Sequence, residues 1–158
     1  MSRYVFNRTV EILKDGEVKA NWKAIKTDIL NSLPEWCKEV PYQIKSIGIK
    51  DACTAVKEAK KKYNKSGQIN RVRFRSRKNP FQSCYIPKSA VSVKGIYHTK
   101  LGKLTFAETL PDQICDCRLT STNGDYYLVV PHKVTRNKTE NQGKVVALDT
   151  GVRTFLTL

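Results

Sequence analysis

Apolar residues recur at helical spacing through the first sixty or so positions and at every second position beyond them. Phe6, Val10 and Leu13 share one helical face, and Lys14-Asp15-Gly16 ends that helix, because glycine is the favoured stop. Trp22, Ile25, Ile29 and Leu33 form a second stripe. Pro34 and Pro41 each mark a helix start, since proline loses nothing at a first helical position. The best-defined helix spans about 42–63, with Ile44, Ile47, Ala52, Ala55, Val56, Ala59 and Tyr63 on one side. Its far end carries Lys60, Lys61 and Lys62 before a stop at Gly67, with cations where the helix dipole favours them. Residues 1–67 thus read as a small antiparallel helical bundle.

After Gly67 the period changes. Arg71, Arg73, Arg75 and Arg77 alternate with Val72, Phe74 and Ser76, which predicts one extended strand presenting four guanidinium groups on a single face. Asn79-Pro80 breaks it. Further strands are expected at 83–86, at 90–93 before a Lys94-Gly95 turn, and at 104–106, 114–120 and 126–130. Asn123-Gly124 between the last two marks a hairpin, because a type I′ turn needs positive φ at both central residues. Short strands punctuated by Gly, Pro and Asn predict a compact β-barrel over 69–131. Residues 132–142 read as a polar linker. From 143 an apolar run, Val145-Val146-Ala147-Leu148, feeds into Asp149, a glycine turn and a returning strand, the opening of a ribonuclease-H-like nuclease core. The fold class is α+β.

Charge sharpens this picture. The 158 residues carry a net charge of +15, and its distribution matters more than its size. Residues 1–58 hold 10 Lys+Arg against 8 acids, 59–107 hold 13 against none, and 108–158 hold 6 against 6. An acid-free third of the chain is the footprint of a polyanion-binding surface. A charged row can also protect a sheet edge from aggregation, but such edges usually mix signs. Arginine grips phosphate through two parallel hydrogen bonds and stacks on bases, and Phe74, Phe81, Tyr85 and Tyr97 interleave with the cations.

The five cysteines are odd in number and form no C-x-x-C pair; Cys115 and Cys117 are read as core residues on one strand face. With no apolar leader segment and no apolar stretch long enough for a membrane span, a cytoplasmic protein with no membrane partner is expected.

Asp149 is the candidate catalytic and metal-binding residue. Apolar residues hold its carboxylate at a strand end, and magnesium takes hard oxygen ligands and phosphate substrate together. Asp-Thr-Gly is good turn chemistry as well, and is also the active-site signature of aspartic proteases. The protease reading expects an all-β chain lying mostly after the motif, whereas this one opens with helices and has seven residues after Gly151. His98 and His132 lack a partnered nucleophile and are not read as catalytic.

Six segments, in order, together resemble the OrfB/TnpB family encoded by prokaryotic insertion sequences, which is similar to type V CRISPR effector nucleases. They are Arg3-Tyr4-Val5-Phe6-Asn7; Trp36-Cys37-Lys38-Glu39-Val40-Pro41-Tyr42-Gln43; Arg73-Phe74-Arg75-Ser76-Arg77-Lys78 with Gln82-Ser83; Leu101-Gly102; Asp125-Tyr126-Tyr127-Leu128; and 146–155, which is similar to the family's first RuvC motif. The resemblance implies a helical recognition domain at 1–67, a β-barrel wedge domain at 69–131, a linker at 132–142 and the start of a RuvC-like domain at 143–158. It implies an RNA-guided, magnesium-dependent DNA endonuclease of a transposon, with a guide RNA from the transposon end, target DNA as substrate and a nucleoid location. Nucleic-acid contacts are then expected at Arg71, Arg73, Arg75, Arg77, Lys78, Gln82 and Ser83, with Lys60, Lys61 and Lys62 beside them. The family also has a wedge strand ahead of the position of Arg3, and further carboxylates and a zinc ribbon after that of Leu158. These 158 residues are therefore expected to be inactive in cleavage by themselves. The alternative is a non-catalytic, repressor-like module that binds RNA or DNA.

Overall fold

The structure is a computed structural model, and it describes residues 1–133. Helices come first. Helix α1 (Ser2–Lys14), α2 (Trp22–Asn31), a single 3-10 turn (Glu35–Cys37) and the long α3 (Tyr42–Ser66) precede every strand. The punctuation expected from sequence holds: Asp15-Gly16 follows α1, Pro41 caps the start of α3, and Gly67 closes it in the left-handed region at φ 68°. Pro34 opens only the 3-10 turn.

Two small antiparallel sheets follow. Strands β1 (Gln82–Ile86), β4 (Cys117–Thr122) and β5 (Asp125–Val129) form one, in the order β1-β4-β5. Strands β2 (Val91–Ser92) and β3 (Gly95–Ile96) form the other, followed by the short α4 (His98–Leu101). The β4–β5 hairpin turns at Asn123 and Gly124, with φ of 52° and 98°, the two positive values that a type I′ turn requires. Ile114 bridges to His132, so the first residue of the expected linker is still tied to the sheet region. The described residues thus form a mixed α+β arrangement, helical first and then small antiparallel sheets.

Helix α3 belongs to both halves. Ile49 and Cys53 enter a core with Val5, Leu13 and Ile29, and Ala52 enters another with Phe6 and Val10. Near the start of the same helix, Ile44 packs against a third cluster, formed by Ile86, Ile96 and Cys117 in the sheets. The apolar stripe read along this helix is therefore corrected at two positions. Ile49, fully buried, belongs to it, whereas Tyr63 is 52% exposed. The physical reason is length: α3 has 25 residues against 13 in α1 and 10 in α2, and its buried stretch ends at Cys53.

Three strand expectations are also corrected. Residues 70–76 adopt no regular structure and pair with none of the described strands, and Arg77-Lys78 form a turn. Residues 104–106 are not a strand; Leu104 instead donates its N–H to the carbonyl of Lys94. The strand expected over 114–120 begins only at Cys117, so Cys115 and Cys117 do not share a core face: Cys117 is buried and Cys115 exposed.

Candidate nucleic-acid interface

The arginine-rich segment is fastened to the helices, and the fastening decides which of its side chains are free. Asn7, on α1, donates from Nδ2 to the carbonyl of Arg75 at 3.0 Å and accepts the Arg75 N–H at 2.8 Å. One side-chain amide thus does for this residue what a neighbouring strand would do, and no strand is needed. Val72 packs against the Phe6–Val10–Ala52 cluster.

Arg75 is turned inward. Its guanidinium lies 3.8 Å over the Phe6 ring and 3.7 Å from a carboxylate oxygen of Asp51 on α3. Arg118, on β4, reaches the same Asp51 oxygen at 3.3 Å and the Ser83 hydroxyl at 3.3 Å. Asp51 therefore joins the arginine segment, the long helix and the sheet through one carboxylate shared by two cations. Burial lowers the Arg75 pKa from its ordinary value, Asp51 opposes that shift, and Arg118 adds to it. Arginine remains charged throughout.

Arg71 and Arg73 do different work. Together with Lys14 and Lys60 they rim a cleft of about 990 Å³ between the last turns of α1, the second half of α3 and residues 69–74. Val56 and Ala59 lie at its floor over the buried Val10 and Leu13, and no carboxylate is among the described residues lining it. Lys14 holds its ammonium 3.9 Å over the Phe74 ring. Lys61 and Lys62 project from the same helical turns into solvent, and Arg77 and Lys78 are exposed in the turn that follows the cleft.

A second, smaller hollow of about 230 Å³ is lined by Arg75, Ser76, Asn79, Phe81, Gln82 and Ser83. Here Gln82 donates from Nε2 to the carbonyls of Ser76 (2.9 Å) and Asn79 (2.7 Å), closing the Arg77-Lys78 turn. Its amide N–H groups serve the backbone.

The fold therefore brings Arg71, Arg73 and Lys60 together at one cleft and sets Arg75, Gln82 and Ser83 at the neighbouring hollow. Lys61, Lys62, Arg77 and Lys78 flank these two sites. Sequence reading missed Lys14 on the rim and the positioning residues Asn7 and Asp51. The polar Asn7 beside Phe6 on the apolar side of its helix is a local oddity, but nothing in the local pattern names its partner, and nothing local marks Lys14 or Asp51. Asp149, the expected magnesium ligand, lies outside the described residues, as do the segment at 143–158 expected to open a RuvC-like domain and most of the linker expected at 132–142. Among the described residues no three His, Cys, Asp or Glu side chains gather as a metal group, and no helix is long and apolar enough to cross a membrane. No family model matches the chain, and no curated protein matches it.

Proposed function

We propose that residues 1–133 are the nucleic-acid-binding part of a transposon-encoded, RNA-guided DNA endonuclease of the OrfB/TnpB kind. In this reading the helices are the recognition domain, and the small sheets belong to a barrel-like wedge domain. The segment at 143–158 opens a RuvC-like nuclease domain with Asp149 as its first carboxylate. Guide RNA and target DNA are the partners, and the setting is the prokaryotic nucleoid. The observation that carries the binding half is the convergence of Lys14, Lys60, Arg71 and Arg73 on a cleft whose described lining residues include no carboxylate. Cations from three separated parts of the chain meet there, which a merely solvated charged edge does not require. The order of helices, cationic segment and antiparallel strands supports the family reading beside the six sequence segments. Magnesium chemistry enters only with Asp149 and the carboxylates that the resemblance places after it, so the activity proposed for 1–133 is binding.

The test is the salt dependence of RNA binding. Each phosphate contact contributes a slope of about −0.7 to −0.9 in log K against log salt, so replacing Lys60, Arg71 and Arg73 with Ala should flatten the slope by about 2. An unchanged slope would place the binding surface elsewhere. The nuclease half is tested in a chain extended by the family's remaining carboxylates and supplied with guide RNA and magnesium. There Asp149→Asn should abolish cleavage while RNA affinity stays within about twofold, because phosphate contacts supply the binding. Tight RNA binding with no cleavage by the parent chain would favour the repressor-like module instead.

A further inference from the structure

The same cleft has a floor that phosphate cannot use. Val56 and Ala59, half-buried above the buried Val10 and Leu13, offer only carbon, and the lip adds Ile69, Tyr63 and Phe74, which are 74%, 52% and 48% exposed. Apolar side chains gathered at one exposed place mark a binding surface. The ligand must therefore be apolar in its middle and anionic at its margin, because the rim residues Lys14, Lys60, Arg71 and Arg73 bring four positive charges.

We infer that this cleft takes the unpaired bases of a single-stranded nucleic acid, the faces of the bases lying on the apolar floor and the phosphates meeting the cationic rim. This deepens the nucleic-acid reading proposed above and rests on it. In a duplex the base faces are stacked against one another and the outside is phosphate and polar base edge, so an apolar floor gains nothing from it. An unstacked base has a flat apolar face in search of cover, and sites that combine a cationic groove with aromatic rings gain from covering it whatever the sequence. Tyr63 stands at the α3 side of the cleft and Phe74 at the side of the arginine segment, with Lys14 over the Phe74 ring. Asn64 and Asn70 also line the cleft, and a side-chain amide can hydrogen-bond a base edge, although the Asn70 Nδ2 already donates to the Gln68 carbonyl at 3.0 Å. At about 990 Å³ the space lies at the top of the usual range for ligand pockets, roughly 300–1,000 Å³, with room for more than one base.

The experiment compares three fluorescein-labelled probes on the full chain: a short single-stranded RNA, the same backbone without bases, and the matching duplex. The intact single strand should bind roughly tenfold tighter than the abasic strand, since stacking contributes measurably for each base. Phe74→Ala and Tyr63→Ala should each lower the affinity for the intact strand several-fold more than the affinity for the abasic strand. Both rings are about half exposed, so the fold should survive, and melting curves verify this. Quenching of a 2-aminopurine base in the RNA on binding to the unsubstituted chain reads the same contact with no variant at all. Equal binding of intact and abasic strands with a steep salt slope would overturn the base-binding inference and leave the nucleic-acid reading standing. Absence of salt-dependent binding to every probe would overturn both. If an amphipathic helix of Leu and Glu occupied the cleft and neither single strand did, the cleft would be a protein-docking site and the inference would fall.

Discussion

Replacing Asn7 with Ala tests whether one side chain holds the arginine segment in place. The substitution deletes both hydrogen bonds to the Arg75 backbone, at 3.0 and 2.8 Å, which join residues 68 positions apart. A net hydrogen bond is worth about 1 kcal/mol, so the pair contributes about 2 kcal/mol; the site is only part-buried, and water can satisfy some of what is lost. About 2 kcal/mol corresponds to about thirtyfold in the equilibrium between attached and detached segment. Hydrogen exchange at the Arg75 amide reads this directly, because that N–H is one of the two groups released. It should exchange about tenfold to thirtyfold faster in the variant, while amides of the α1–α3 core, such as Ile49, change far less. Asn7→Asp supplies the control: it can still accept the Arg75 N–H but can no longer donate to the carbonyl, and should fall between the two. Release of the segment also loosens Val72 from the Phe6–Val10–Ala52 cluster and unseats Arg71 and Arg73 from the cleft, so RNA affinity should drop in parallel. Unchanged exchange at Arg75 in Asn7→Ala would refute the reasoning, whatever happened to overall stability.

Two further predictions concern the sheets. Tyr85 donates its hydroxyl to Asp116 at 2.8 Å, and the Lys88 N–H reaches the same carboxylate at 3.0 Å. Burial first, and then that hydrogen bond and the carboxylate's charge, push the Tyr85 hydroxyl up to about 12. A folded-state pKa above the free value stabilises the fold fully below about pH 10 and is lost as pH rises from there towards 12. Asp116 is displaced the other way, held below the usual carboxylate range by the Lys88 N–H and then by Tyr85, so its contribution is lost as pH falls through the acid range. Tyr85→Phe should therefore flatten the alkaline loss of stability and move the Asp116 titration upward, followed by carboxyl NMR; an unmoved Asp116 would contradict the assignment. Gly95→Ala should destabilise the β2–β3 turn by about 2 kcal/mol or more in urea unfolding, since φ is +120° and the added carbon would lie 2.9 Å from Cβ of Leu104. A variant as stable as the parent would mean that the 95–104 contact is looser than described.

The sequence alone determined whatever depends on neighbours a few positions away. Helix boundaries followed from Gly16, Pro41 and Gly67, and the β4–β5 hairpin from Asn123-Gly124, because φ at a glycine or proline is a local property. The order of helices before strands, and the acid-free cationic third, were legible for the same reason. What the sequence could not decide was which arginines remain available. Four alternate identically along the chain, yet Arg75 is held by Phe6, Asn7 and Asp51 while Arg71 and Arg73 reach the cleft. Those partners lie far away in sequence, and no local period records them. Lys14 joins the rim, Tyr63 leaves the core and Cys115 leaves the sheet for one common reason: burial is set by where partner elements end. That is a property of packing between distant segments, and only the tertiary structure supplies it.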